Sequence, residues 1–131
     1  MRRYMLDADT VSYGLRGQGQ VAARLLDHQP SELCMSAITI AELNFGAEVR
    51  RSQKIRRAIR SFTKDVAVVP FDEASAARFG VVAVALSTRG QPIGLYDTLV
   101  AAQALALDLT LVTNNTRHFS RVQGLAIENW A

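Results

Sequence analysis

At 131 residues the chain suits a single domain with a real core and is too short for two. With 49% apolar and 21% charged residues it is not a disordered chain, and no apolar run is long enough to cross a bilayer. The net charge of +3 is a modest excess that fits a polyanionic partner, and the single cysteine, Cys34, excludes an internal disulfide.

Residues 3–6 read as a short buried strand, broken abruptly by Asp7 and Asp9. These two acids also interrupt the only segment placed where a signal peptide could lie, so a cytoplasmic protein is expected. A loop containing Arg16-Gly17-Gln18-Gly19 leads to a helix near residues 21–27, closed by Pro30. Residues 33–35 form a second strand, and Cys34 within it reads as a buried small hydrophobe. Helices are expected over about 39–50 and 53–62, then a β-branched third strand over 66–69 that ends at Pro70. Asp72 has the position of an N-cap for a long helix over 73–88, which Gly90 terminates. After the turn Gln91-Pro92-Ile93-Gly94 comes a helix over about 96–107, a fourth strand over 110–113, the polar cluster Asn114 to His118, and a fifth, edge strand over 125–128. Strands separated by helices imply an α/β fold with a mostly parallel sheet covered on both faces.

In such a sheet, ligands collect outside the carboxyl ends of the strands. Asp7, Glu42, Asp97 and Asn115 all fall at that rim in the pattern. Each acid also has a local explanation. Thr39-Ile40-Ala41-Glu42 spells a capping box, Asp97 stands where a helix cap would, and Asp9 reads as the cap of a short helix beginning near Val11 or as an extra carboxylate. Separate caps do not explain why three acids share one rim. Gathered carboxylates repel unless a cation intervenes, and oxygen ligands without Cys or His at ligand spacing suit Mg²⁺ or Mn²⁺ rather than a structural zinc. Positive charge is concentrated in Arg50, Arg51, Lys54, Arg56, Arg57, Arg60 and Lys64. Ile55, Ile59 and Phe62 share the opposite helical face, so the basic run is either a solvated surface or a phosphate contact.

The blocks Met5-Leu6-Asp7, Ser36 to Leu43 with Gly46-Ala47, Ile93 to Ala102, and Leu111 to Arg117 with Phe119, closing on Glu128-Asn129-Trp130, make the chain resemble the PIN-domain ribonucleases, and among them the VapC toxins. The resemblance implies a single PIN domain over 1–131, a three-layer α/β/α sandwich with a mostly parallel sheet of four to five strands. It makes Asp7 and Asp97 the principal Mg²⁺ ligands, with Mn²⁺ as a substitute, and Glu42 a third acid. Asn115 and His118 stand where relatives carry further acids, and Ala8 and Asp9 replace the usual Thr and Asn. Thr10 and Thr113 are expected to hydrogen-bond the ligating carboxylates.

The implied activity is metal-dependent hydrolysis of RNA, plausibly a tRNA, leaving a 3′-hydroxyl and a 5′-phosphate. The implied partners are a VapB-type antitoxin that covers the acidic cleft, in a hetero-oligomer, and a second copy in a homodimer; no membrane is involved. The helices that carry the basic run would help grip the antitoxin, and Trp130 would pack in the core or at the dimer contact. Two rival readings remain. One is a PIN domain that binds RNA or protein without cutting; the other is a haloacid-dehalogenase-type phosphatase, whose opening signature Asp7-Ala8-Asp9-Thr10-Val11 also matches.

Overall fold

The sheet at the centre of this computed structural model, which describes residues 1–131, has five strands. They are β1 (Tyr4–Leu6), β2 (Leu33–Ser36), β3 (Ala67–Val69), β4 (Thr110–Val112) and β5 (Ile127–Glu128). Every pairing is parallel, and the order across the sheet is β3-β2-β1-β4-β5. Register places Met5 between Cys34 and Leu111, and Leu6 between Met35 and Val112. Because side chains alternate along a strand, this register sorts the sheet's residues into two cores.

Met5, Cys34 and Leu111 face the core closed by α5 (Glu73–Thr88), α6 (Leu95–Ala106) and α7 (Thr116–Phe119), through Val82, Leu86, Val100 and Phe119. Leu6, Met35 and Val112 face the opposite core, closed by α1 (Ala8–Arg16), α2 (Val21–Leu26) and α4 (Gln53–Asp65), through Val11, Val21 and Phe62. α3 (Ala37–Arg50) serves both: Ile38 packs on the first core, Ile40 and Leu43 on the second. Full burial of a Leu, Met or Val of this kind stabilises by about 1.5–3 kcal/mol, so the two cores hold the sheet from both sides. Cys34 is fully buried in the first core, where desolvation pushes its thiol up to about 11 and leaves it inert. Trp130 is core rather than surface, stacked on His28 at 4.8 Å and edge-on to Tyr4, with its indole N–H donating to Glu128.

Helix ends follow from local chemistry. The Asp7 carboxylate caps α1 by accepting from the Thr10 N–H at 2.9 Å, and Gly17, at φ +67°, closes it in the left-handed conformation. Ser36 caps α3, Ser52 caps α4 and Asp72 caps α5. Three elements differ from the sequence-based expectation. α1 begins at Ala8 rather than near Val11 and runs to Arg16, which reads as loop; α3 begins at Ala37, directly out of β2; and the polar cluster after β4 contains the short α7. No helix is long and apolar enough to cross a membrane.

Candidate active site

The chain leaves β1 towards β2 on one side, while β4 lies against β1 on the other, which opens a crevice beyond the carboxyl ends of β1 and β4. Asp7, the residue after β1, stands in it, with its N–H donating to the Val112 carbonyl at 3.1 Å. The side chain is only 7% exposed. Burial is the main reason its pKa is pushed up to about 6, against the pull of the Thr113 hydroxyl and the Thr10 N–H, which hydrogen-bond the carboxylate. Thr10 serves Asp7 mainly through its N–H, at 2.9 Å, and more weakly through its hydroxyl, which donates to the Val112 carbonyl at 3.0 Å.

Glu42 reaches the same crevice from α3. Its pKa is pushed up to about 7, first by burial and then by the negative charges of Asp97, Asp7 and Asp9. The expected capping box does not form: the cap is Ser36, whose hydroxyl accepts from the Ile38 N–H at 3.0 Å, and Thr39 is buried with its hydroxyl unpartnered. Asp97 lies in the first turn of α6, where the cap position belongs to Gly94, so it too is free of a capping role. Burial raises its pKa and His118 opposes that rise. Asp9 is exposed in the first turn of α1, which corrects its reading as a cap; its charge bears on Asp7, Glu42 and Asp97.

The β4 side supplies Asn115 and His118. The Asn115 N–H donates to the Thr113 hydroxyl oxygen at 2.9 Å, which orients the group that steadies Asp7. The Asn115 amide nitrogen lies 3.0 Å from His118 Nδ1, which is 3.9 Å from Asp97 Oδ2. His118 thus stands beside Asp97 at the partly exposed edge of the acid cluster.

Arg56 differs from the other basic residues, because Glu48 holds its guanidinium at 2.9 Å. Arg50, Arg51, Lys54, Arg57 and Arg60 remain outside such pairs. Arg50 and Lys54 line a groove of about 440 Å³ between α1, α3 and α4, together with Ser12 and Arg16. A smaller hollow of about 210 Å³ shares Ser12, Arg16 and Arg50 and is lined by Glu42, so the cationic groove opens onto Glu42. Ser12 and Arg16 escape a reading of the sequence because the short helix near Val11 carries no pattern that places its polar face, and Arg16 reads as loop; the available signal is Arg16 directly ahead of a helix-ending Gly17.

No three of the chain's carboxylate, imidazole and thiol groups close around one point as a finished metal cage. After burial, the charges of Asp97, Asp7 and Asp9 push up the Glu42 carboxyl, which places the three carboxylates within reach of one another's fields. The donor chemistry fits a hard divalent ion: Asp7 and Asp97 from two walls, Glu42 from a third, all through oxygen.

A PIN domain family model matches residues 4–125. The tRNA(fMet)-specific endonuclease VapC of Shigella flexneri is 32% identical over 100% of both chains. Ribonuclease VapC2 of Haemophilus influenzae is 35% identical over 99% of each. Among solved structures, the DNA-bound VapBC complex of Salmonella typhimurium superposes with a TM-score of 0.90 at 31% identity, over 100% of both chains.

Proposed function

Since the chain belongs to the PIN-domain family and within it to the VapC ribonucleases, we propose that residues 1–131 act as one endoribonuclease domain whose site is built on Asp7, Glu42 and Asp97. It is the toxin of a VapBC-type pair, with RNA as substrate and a VapB antitoxin as partner. PIN-domain membership also removes the phosphatase reading of Asp7 and Asp9.

PIN-domain nucleases generally depend on a divalent metal, and Mg²⁺ is the ion we assign, with Mn²⁺ able to replace it. Asp7 and Asp97 would hold it. The ion supplies positive charge for the phosphate oxygens and makes water more acidic. Glu42, whose carboxyl is pushed up by burial and by Asp97 and Asp7, would accept the proton of the attacking water and aim it in line with the leaving oxygen. Thr113 fixes the Asp7 carboxylate, and Asn115 fixes Thr113. Arg16, Arg50 and Lys54 are placed to take the phosphates on one side of the scissile bond. Products are a 3′-hydroxyl and a 5′-phosphate, and a tRNA is the proposed substrate.

The observation that carries this reading is that Asp7 after β1, Glu42 from α3 and Asp97 from α6 meet at one rim, close enough that, after burial, the charges of Asp97 and Asp7 push the Glu42 carboxyl up to about 7. Replacing Asp97 by Asn keeps the shape and removes a charge. Purified wild type should cut tRNA in Mg²⁺ and arrest growth on expression, and Asp97→Asn should do neither; equal cleavage by both would overturn the assignment, and a wild type that binds RNA without cutting would make the domain a binding module. We also propose a homodimer, supported by apolar side chains left in water, Phe45 and Val49 on α3 and Val81 and Val84 on α5.

A further inference from the structure

We propose that Asn114 is a positioning residue of the acid site: its amide braces the bend between β4 and α7 against α1 on one side and against the segment after β5 on the other. The inference rests on the acid-site reading above, because what the brace steadies is Thr113, whose hydroxyl hydrogen-bonds the Asp7 carboxylate. Asn114 stands between Thr113 and Asn115 at that bend. Its Oδ1 accepts from Asn129 Nδ2 at 3.2 Å, and its Nδ2 donates to the Tyr13 hydroxyl oxygen at 3.1 Å. The direction of this chain of bonds is set at its far end. The Ala131 backbone N–H can only donate, and it donates to Asn129 Oδ1 at 2.9 Å. That turns Asn129 Nδ2 towards Asn114, and so Asn114 Nδ2 towards Tyr13.

Both anchors are firm. Tyr13 is half-buried and packs on the core that Leu6 and Val112 share. Asn129 lies between Glu128, whose carbonyl accepts from the Thr113 N–H at 2.9 Å, and the buried Trp130. Without the Asn114 amide the bend keeps that main-chain bond and the bond from the Asn115 N–H to the Thr113 hydroxyl, but gains freedom around them. A carboxylate whose hydroxyl partner shifts by a fraction of an ångström is still bonded, yet it is no longer held for reaction. Tyr13 has a second neighbour in Arg16, whose guanidinium lies 5.6 Å from the ring centroid. The ring therefore stands between the brace and the cationic groove. Truncating Asn114 leaves it in place, so loss of the brace should show in kcat, and not in KM or in the salt dependence of RNA binding.

Asn114→Ala, Tyr13→Phe and Asn129→Ala are compared with wild type on a mixed tRNA pool in Mg²⁺, well below the melting temperature of each. kcat should fall about tenfold in Asn114→Ala, and by less in the other two, which each lose one tie, while KM holds. Tyr13→Phe should add nothing in the Asn114→Ala background. With Asp97→Asn also present, truncating Asn114 should leave the slope of log RNA affinity against log salt unchanged. In metal-free protein, hydrogen exchange of the Asn115 N–H should quicken about tenfold in Asn114→Ala. Unchanged kcat or unchanged Asn115 exchange in folded Asn114→Ala would overturn the brace and leave the acid site intact. A raised KM with a flatter salt slope would overturn it too, by making Asn114 an RNA contact. A wild type that cuts no faster than Asp97→Asn would overturn the nuclease reading, and this inference with it.

Discussion

Asp7 combines two duties that pull in opposite directions. One oxygen caps α1, which favours the ionised form, yet the side chain is buried and its pKa is pushed up to about 6 from an ordinary 3.8. The folded protein holds that proton more tightly than the unfolded chain does. The stabilisation is therefore present below the ordinary carboxylate range and lost as pH rises through about 6, and Glu42 extends the loss towards pH 7. Asp72, held below its usual range by the Ser75 N–H, works the other way, but only at more acidic pH. Metal-free protein should thus melt at a lower temperature at pH 8 than at pH 5.5, and Mg²⁺ should raise the melting temperature mainly at pH 8. Asp7→Asn keeps the cap and removes the charge, so it should raise metal-free stability at pH 8 by up to about 3 kcal/mol, at about 1.36 kcal/mol for each pKa unit relieved, while ending RNA cleavage. A chelator melt showing no pH dependence between 5.5 and 8 would contradict this origin of the strain.

Among the helices, α1 and α4 teach the most. α1 carries Thr10, Val11 and Gly14, weak helix formers, and stands only because Asp7 starts it, Gly17 ends it and Val11 is buried in the core that Trp130 shares. The burial of Val11 is tertiary, which is why the sequence shows only a short helix near Val11 although its cap and its terminal glycine are both visible there. Gly17 has open space around its missing Cβ, so Gly17→Ala meets only the left-handed φ and should cost about 1 kcal/mol in a denaturant melt. The Thr39 to Glu42 capping box fails for a related reason: β2 runs straight into α3, so the cap falls at Ser36 and Glu42 is released to the crevice. α4 is amphipathic as its pattern predicts, but nothing in that pattern signals that Glu48 occupies Arg56. Charge neutralisation should therefore target Arg50 and Lys54. Removing one phosphate-binding cation should lower the slope of log affinity for RNA against log salt by about 0.7–0.9, and Arg56→Gln should leave that slope nearly unchanged.

Taken whole, the molecule is organised by its strand order. Alternation of strands and helices is enough to expect a parallel sheet, but only the order β3-β2-β1-β4-β5 puts the end of β4 beside the end of β1 and so brings Thr113, Asn115 and His118 to Asp7 and Asp97. No periodicity encodes that adjacency. The acids are legible as residue types at strand ends, whereas the bonds that steady them, Asn115 to Thr113 to Asp7, depend on β4 being next to β1. The cationic groove is a property of the same assembly, since α1, α3 and α4 each give one wall and Glu42 lies in the hollow that adjoins it.

The central claim is that carboxylates from separate elements share one divalent ion and that RNA is cut because they do. Mapping the ends of total tRNA after incubation with wild type or Asp97→Asn, with Mg²⁺ or with a chelator, tests it most directly. Discrete 5′-phosphate ends that appear only with wild type and metal are the expected result; the same ends from Asp97→Asn, or in the presence of chelator, would contradict it.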